Sequence, residues 1–238
     1  MIAFIDTPLF HLMITLLAYW LSNLLFNKFR YKILHPGIVS ILVLILFLKL
    51  TDTSFQDYND NTSMLSFWLG PSVVALGLPL YLYIRHLQGN FFRFFLAMIA
   101  GSLIGIISVV VIAKLLGASD IILYSLAPKS VTTPIAMEIS EGLGGIPSLT
   151  IVVVFITGFV GALFGWGFLS KMRINDEKAI GIAMGAASHA IGTAEIVKNG
   201  EKYGAYGALG MVLNGVLTAV FAPIIMPPLI HLLCIANY

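Results

Sequence analysis

The sequence predicts an all-α, polytopic transmembrane helix bundle that contains two opposed broken or re-entrant helical hairpins. Of its 238 residues, 59% are hydrophobic and only 10% are charged, and the mean hydropathy is +0.97. A soluble domain carries about 25% charged residues, so the composition excludes that class. Apolar runs long enough to cross a ~30 Å hydrocarbon core recur along the chain. We therefore predict one transmembrane domain over residues 1–238, with a four-span half (1–116) and a half that carries two broken-helix motifs (117–238).

The first half contains four predicted spans, at residues 8–26, 35–50, 67–84 and 94–116. Residues 51–66 carry three aspartates and no lysine or arginine, so we predict a polar exterior loop there. In the fourth span, two glycines lie four residues apart, a spacing that lets helices pack closely: Gly101 and Gly105. No basic residue precedes Lys28, so a cleaved signal peptide is not expected and the first apolar run is a retained span.

The distribution of lysine and arginine predicts the topology, because basic residues favour cytoplasmic loops close to span ends. A cytoplasmic basic cluster at residues 28–32 places the amino terminus outside. If residues 119–147 dip into the membrane and return, the basic residues of 171–178 stay inside, whereas a full crossing would place them outside. A dip of residues 179–197 from the inside keeps the two following lysines cytoplasmic. This arrangement puts ten of the thirteen Lys and Arg residues inside.

The first broken motif spans residues 126–135, with the sequence LAPKSVTTPI. Its polar and helix-breaking residues are Pro128, Lys129, Ser130, Thr132, Thr133 and Pro134. A charge at bilayer depth is costly and is tolerated mainly for function or inside a bundle, and two prolines forbid one straight helix. Each flanking arm (120–127 and 134–141) would give about 12 Å of helix, which approaches the midplane. Since broken backbone is permitted in a membrane only where protein or a water-filled cavity covers it, the motif predicts one wall of a polar site.

The second motif, MGAASHAIGTA at residues 184–194, lies in the dip that starts on the opposite side. Its candidate site residues are Ser188, His189, Gly192 and Thr193. Two re-entrant hairpins from opposite sides would meet tip to tip near the bilayer centre, as in secondary transporters built from inverted repeats. Leu69-Gly70-Pro71 and Leu126-Ala127-Pro128 share a short Leu-small-Pro start, and together with the two dips they lead us to predict an inverted repeat.

Within the first motif, we hypothesise that Lys129 binds a substrate carboxylate through a charge-assisted contact. The helix that Pro134 begins would add free N–H groups and a dipole, both of which attract anions. Thr133 is predicted to N-cap this helix, with Pro134 at its first position. Ser130 and Thr132 are then the hydroxyl groups that are freer to bind.

A structural role is the alternative for Lys129: an ion pair with Glu138 or Glu141, or a side chain that reaches to the membrane surface. A further hypothesis is that Glu138 balances Lys129 in the empty state, so that an arriving carboxylate competes with it. Glu195 could play the same part on the inner arm. The alternative for these glutamates is interfacial exposure.

His189 and Glu138 are candidates for carrying a coupled proton, because histidine titrates near neutral pH and a carboxylate beside a cation can exchange its partner. The alternative for His189 is a helix-packing residue that is satisfied by hydrogen bonds. The other histidines near span ends are predicted to be interfacial: His11, His35 and His231.

Three segments together, PKSVTTPIAM (128–137), GGIP (144–147) and MGAASHAIGTA (184–194), resemble the LrgB/CidB family over essentially the whole chain. This resemblance implies a small multi-pass protein of the bacterial inner (plasma) membrane, often paired with a smaller LrgA/CidA-type membrane partner. Bacterial members are described as antiholin-like or as regulators of murein hydrolase export. The plastid glycolate/glycerate translocator contains a similar module, and some bacterial members are implicated in pyruvate movement, so the resemblance supplies small monocarboxylates as the substrate class.

Two functions follow as hypotheses. The first is a secondary transporter of small monocarboxylates (glycolate, glycerate, lactate or pyruvate) that holds the anion between the broken-helix tips and is coupled to a proton or works by exchange. The hydroxyl groups that would contact the 2-oxygen of the substrate acid are those of Ser130, Thr132, Ser188 and Thr193. The second is an antiholin-like regulator of murein hydrolase export and autolysis that acts with an LrgA/CidA-type partner.

An intramembrane hydrolase is a third class, which would use Lys129 with Ser130 or Ser188 with His189. Neighbouring side chains point apart, whereas a nucleophile and its base must touch, so we expect no enzyme activity. A single cysteine excludes a disulfide framework and a cysteine-based metal cluster, and we expect no cofactor or metal. The expected partners are a small carboxylate anion, the lipid bilayer, and a second copy of the chain or an LrgA/CidA-type subunit, with no nucleic acid.

Overall fold

The computed structural model describes residues 7–29, 31, 34–68, 71, 74, 75, 78, 81 and 91–235, and it contains ten α-helices and no strand within these residues. In chain order the helices are α1 (Pro8–Phe29), α2 (Pro36–Thr51), α3 (Phe55–Asn61), α4 (Ser63–Phe67), α5 (Phe91–Leu115), α6 (Asp120–Leu126), α7 (Thr133–Gly142), α8 (Pro147–Lys171), α9 (Glu177–Val197) and α10 (Glu201–Ile235). The predicted all-α class is confirmed.

The helices have the lengths that a multi-pass membrane protein needs. Among the described residues, five are long and apolar enough to cross a bilayer (α1, α5, α8, α9 and α10), and α2 with α3 forms a sixth candidate that is bent by 117°. The predicted spans at 8–26, 35–50 and 94–116 correspond to α1, α2 and α5. The predicted span at 67–84 lies largely outside the described residues.

Residues 1–72 form one compact unit, in which α1 packs against α2 and α3. The polar exterior loop predicted at residues 51–66 is instead mostly helical, because Ser54 N-caps α3 by accepting a hydrogen bond from the amide of Asp57 at 3.0 Å. His11, predicted to be interfacial, is fully buried inside this unit. Its Nδ1 lies 3.0 Å from Nδ2 of Asn61 and its ring stacks edge-on against Tyr58, so packing between α1 and α3 accounts for this histidine.

Residues 73–238 form the second unit, whose core is built on two parallel helices, α5 and α10. The start of α5 packs beside residues 206–217 of α10, the hydroxyls of Ser102 and Thr218 are 3.1 Å apart, and the end of α5 packs beside residues 222–230. Gly101 and Gly105 were predicted to support close helix packing, but a Cβ added at either would meet nothing within 4 Å. These two glycines border a cavity instead.

Helix α9 is broken at its middle and folds back on itself. His189 has φ 42° and ψ −136°, which no helix accommodates. The first and last parts of the segment pack together, since Ile180 and Met184 share a buried cluster with Ile196. Lys202, just beyond the end of α9, forms an ion pair with Glu177 at its start, with 3.4 Å between Nζ and Oε2. A straight helix of this length would separate its ends by about 30 Å. The segment is therefore a re-entrant hairpin, which we call hairpin two.

The segment from α6 to α7 forms the other hairpin, hairpin one, with its turn at residues 127–132. It starts beside the end of α5, where Lys114 pairs with Asp120 at 3.0 Å. After α7 the chain is again alongside α6, because the amide of Ile146 donates to the hydroxyl of Ser125 at 2.7 Å. The hydroxyl of Thr150 contacts the Ser125 carbonyl at 3.0 Å and lies 2.7 Å from the Ser140 hydroxyl, and all three side chains are fully buried.

Helix α8 determines the relative direction of the hairpins. It is one continuous helix of 25 residues, with hairpin one immediately before it and hairpin two immediately after it. The two hairpins therefore enter the bundle from opposite ends, and the predicted pair of opposed broken hairpins is confirmed. The inverted repeat, the single domain over residues 1–238 and the external amino terminus stay predictions; Leu69 and Gly70, which carry part of the repeat, lie outside the described residues.

Candidate functional site

A cavity of about 660 Å³ lies between α5, the turn of hairpin one, the first arm of hairpin two and α10. Its described lining residues are mostly alanine, glycine, isoleucine and methionine, and its polar or charged ones are Arg93, Ser102, Lys129, Ser130, Asn214 and Thr218. This is the usual character of a small-molecule site, an apolar pocket with a few convergent polar groups. Two cations and no carboxylate line it among the described residues, so the site favours an anion.

Lys129 is half-buried at the turn of hairpin one, and its ammonium donates a hydrogen bond to the Ser130 hydroxyl at 3.0 Å. No ion pair joins Lys129 to a carboxylate of the described residues, and both Glu138 and Glu141 are exposed. The structural alternative of an ion pair with either glutamate is therefore not found, nor is the proposed balancing of Lys129 by Glu138. Glu195 pairs with Lys198 at 2.6 Å, away from this cavity.

The tips of the two hairpins meet at one side chain. The amide nitrogen Nδ2 of Asn214, on α10, donates to the carbonyl of Ser130 at 3.2 Å and to the carbonyl of Ala186 at 2.9 Å. Ala186 lies just before the break at His189, where backbone carbonyls lose their helical partners. Asn214 is buried and lines the cavity, so it links hairpin one, hairpin two and α10 at the wall of the site.

Helix α7 begins close to this junction. Its N-cap is Thr132 (φ −63°, ψ 145°), one residue earlier than the Thr133 cap that the sequence predicted, because Pro134 occupies the second helical position and not the first. Thr132 is the N-cap by its backbone angles, but its hydroxyl oxygen is buried without a hydrogen-bond partner, so the side chain bonds to no backbone amide of the helix. A Cβ at Gly215 would lie 2.9 Å from Ile135, which places the start of α7 against α10 beside Asn214. Thr132, Thr133 and Pro134 do not line the cavity.

The candidate residues of hairpin two are all buried, and two of them, Ser188 and His189, face α8, whereas Thr193 faces Gly207 of α10. His189 Nε2 lies 2.9 Å from the carbonyl of Val154, and the Thr193 hydroxyl donates to the His189 carbonyl at 2.8 Å. Gly158 and Gly161 on α8 leave the space that these side chains occupy, since a Cβ at Gly158 would lie 2.5 Å from the His189 ring and one at Gly161 would overlap Ser188.

None of the four candidates Ser188, His189, Gly192 and Thr193 lines the cavity. The tip of hairpin two therefore lies beside the turn that carries Lys129, as expected. The side chains of Ser188 and His189, however, do not face Lys129. The tip presents Ala186 and Ala187 to the cavity instead. The physical reason is the backbone reversal at His189, which turns the serine and histidine towards the glycines of α8.

Sequence reasoning did not identify four polar residues of the cavity: Arg93, Ser102, Asn214 and Thr218. Asn214 is the one amide side chain in the apolar run 203–233, and Ser102 and Thr218 are isolated hydroxyls in apolar helices. Polar residues within spans face the bundle interior or a cavity, so this signal was available. Its meaning depends on long-range pairing between α5 and α10, which local patterns do not reveal.

The fold and this site define a class: a multi-pass membrane protein with two opposed re-entrant hairpins whose tips adjoin a cationic cavity. The LrgB-like family model matches residues 15–227, and the chain belongs to that family. It is 33% identical over 222 residues to the antiholin-like protein LrgB of Bacillus cereus (strain B4264), which covers 93% of this chain and 96% of the relative. The antiholin-like protein LrgB of Bacillus anthracis (strain CDC 684 / NRRL 3495) matches with the same identity and coverage. No solved structure matches the chain.

Proposed function

We propose that this protein is a secondary transporter of small monocarboxylates of the glycolate, glycerate, lactate or pyruvate class. The observation that carries the proposal is the ammonium of Lys129, which adjoins a largely apolar cavity and pairs with no carboxylate of the described residues. A cation in such surroundings is stabilised when an anion joins it. A substrate carboxylate supplies that anion.

The substrate would bind where the hairpin tips meet. Its carboxylate would contact Lys129, and the hydroxyl of Ser130 lies on the same wall for the 2-oxygen. Because Asn214 holds both tips through backbone carbonyls, a movement of either hairpin changes the geometry of this wall. Transporters with broken helices alternate access in this way, by moving one hairpin-bearing element against another around a fixed site.

The energy source is part of the proposal. The sequence contains no ATP-binding motif, so we propose coupling to a proton or exchange of one acid for another. His189 and Glu138 were the residues considered for a coupled proton. His189 is buried against α8 and hydrogen-bonded to the Val154 carbonyl, as the helix-packing alternative expects, whereas Glu138 is exposed, so of the two only His189 lies inside the bundle.

A second candidate is an antiholin-like regulator of murein hydrolase export that acts with an LrgA/CidA-type partner. The observation that favours it is the name of the relatives, antiholin-like protein LrgB. A regulator of this kind acts through its assembly with a partner, and a cation beside a ligand-sized cavity is not required for that. The two candidates therefore differ in their dependence on Lys129. An inner-membrane location, a homodimer and a partner subunit are proposed with either.

The test is uptake of radiolabelled glycolate, glycerate, lactate and pyruvate by the purified protein in liposomes, with and without an inward proton gradient and with and without the partner subunit. We expect at least one acid to accumulate when the gradient is imposed, or to exchange with acid loaded inside. If none of the four moves under any condition while the protein is folded, the transporter proposal is wrong and the regulatory candidate is favoured.

A further inference from the structure

Arg93 is the second cation that lines the cavity. It lies in the first turn of α5, its side chain is exposed, and it forms no ion pair with a described residue. Arg93 and Lys129 are the only charged side chains among the described lining residues. Arg93 has no role in the carboxylate site proposed above.

The two cations lie at different depths in the cavity. The cavity extends along α5 from Arg93 to Ile106, which corresponds to about 20 Å of helix. Ile106 belongs to the same buried cluster as Ala127, two residues before Lys129, and the carbonyl of Ser130 accepts a hydrogen bond from Asn214, so Lys129 lies deeper in the bundle than Arg93. Ala179, in the first turn of α9, lines the cavity at the Arg93 end. This end is thus formed by the starts of two helices, where a small anion would enter from the membrane surface.

The wall between the two cations is mostly apolar, with alanine, isoleucine and methionine side chains from α5 and α9, and its polar groups are neutral: Ser102, Asn214 and Thr218. Low-dielectric walls focus the field of charges of one sign and raise the local concentration of the oppositely charged ligand. A cation at the mouth and a second one further in therefore form an electrostatic path for anions. No carboxylate of a described residue lines this path.

We propose that Arg93 is an outer anion-binding residue that captures the carboxylate at the cavity mouth before it reaches Lys129. This inference rests on the proposed function, and it assigns to Arg93 an effect on apparent affinity from one side of the membrane. A neutral residue at position 93 would leave Lys129 intact, so we expect the maximal rate of transport to be preserved. Lipid headgroup phosphates are the other anions that an arginine near a membrane surface binds. Vesicles with and without anionic lipid distinguish the two ligands.

The chain's single cysteine makes a charge-rescue experiment possible. Arg93→Cys is made in a Cys234→Ser background, reconstituted, and modified with a methanethiosulfonate that carries either an ammonium or a sulfonate. We expect Arg93→Cys to raise the apparent KM for the transported acid about three- to ten-fold with an unchanged maximal rate. The ammonium reagent should restore the KM, and the sulfonate reagent should raise it further. Lys171→Cys is the matched control, because Lys171 is exposed at the end of α8 and does not line the cavity.

The outcomes separate this inference from the proposed function. If the Cys234→Ser protein transports an acid and both charged reagents at position 93 leave KM unchanged, the capture role is wrong and the transporter proposal stands. If neither the wild type nor the Cys234→Ser protein transports an acid, both are wrong; if only the Cys234→Ser protein fails, Cys234→Ala is the background for the same test. The KM effect should also persist in vesicles of phosphatidylcholine alone; an effect that is present only with anionic lipid would assign Arg93 to headgroup binding and overturn the inference.

Discussion

The side-chain amide of Asn214 donates a hydrogen bond to the backbone carbonyl of Ser130 at a distance of 3.2 Å. The same nitrogen donates to the Ala186 carbonyl at 2.9 Å, so one buried side chain joins the tips of two hairpins that enter the bundle from opposite ends. Backbone that leaves a helix inside a membrane must have its polar groups satisfied by protein. Asn214 meets that need at both breaks and positions Ser130 and Lys129 at the cavity.

Replacing Asn214 with leucine should impair both stability and transport. Leucine has a similar size but no donor, so two hydrogen bonds are lost at a cost of about 0.5–1.5 kcal/mol each, and the tips are no longer held together. We expect a lower unfolding temperature in detergent and a drop in uptake of more than about ten-fold. Asn199→Leu, on the exposed turn after α9, is the control and should behave as the wild type. Full uptake by Asn214→Leu would show that the junction is dispensable.

The glycines of α8 should be required for hairpin two to seat. An alanine Cβ at position 161 would overlap the Ser188 side chain, and overpacking of this kind costs about 1–3 kcal/mol. Gly161→Ala should therefore lower the unfolding temperature, and adding Ser188→Gly should recover part of the loss. Gly167→Ala is the matched control on the same helix: its Cβ meets nothing within 4 Å, and alanine favours the helix by up to about 1 kcal/mol. Equal stability of the two alanine variants would contradict the packing described here.

The ion pair between Glu177 and Lys202 predicts that both ends of hairpin two lie on one side of the membrane. Single cysteines at these two positions, in a Cys234→Ser background, should be labelled by an impermeant maleimide from the same face. A cysteine at Asp120, at the start of hairpin one, should be labelled from the other face, because one continuous span, α8, separates the hairpins. The charge distribution predicts that the face of Glu177 is cytoplasmic. Labelling of positions 177 and 202 from opposite faces would mean that α9 crosses the membrane.

The helix pattern and both re-entrant segments could be predicted from the sequence because they follow from local physics. The lengths of the apolar runs predicted the spans. The dips were predicted because full crossings would have placed the basic residues that follow them outside the cell. The direction of the tip side chains could not be predicted in the same way. A single residue, His189, reverses the chain, and only the space left by Gly158 and Gly161 on another helix decides that Ser188 and His189 face α8.

The residues that line the cavity likewise divide into those that could be predicted from the sequence and those that could not. Lys129 and Ser130 could be predicted to line it, because a lysine between two prolines in an apolar chain has few other uses. Asn214, Ser102 and Thr218 could not be assigned to it, because their place depends on α5 and α10 running in parallel at long range. The capping residue was misplaced by one position, since proline is tolerated at either of the first two positions of a helix and the sequence does not distinguish them.

Lys129 carries the central claim, that its ammonium binds the carboxylate of a small acid. The most direct measurement is the apparent affinity for the transported acid in liposomes that contain the wild type, Lys129→Gln or the exposed control Lys171→Gln. Loss of one partner of a charged contact costs about 2–5 kcal/mol, so Lys129→Gln should weaken affinity at least about thirty-fold, with assembly in the membrane preserved. Lys171→Gln should match the wild type. Wild-type affinity in Lys129→Gln would contradict the account.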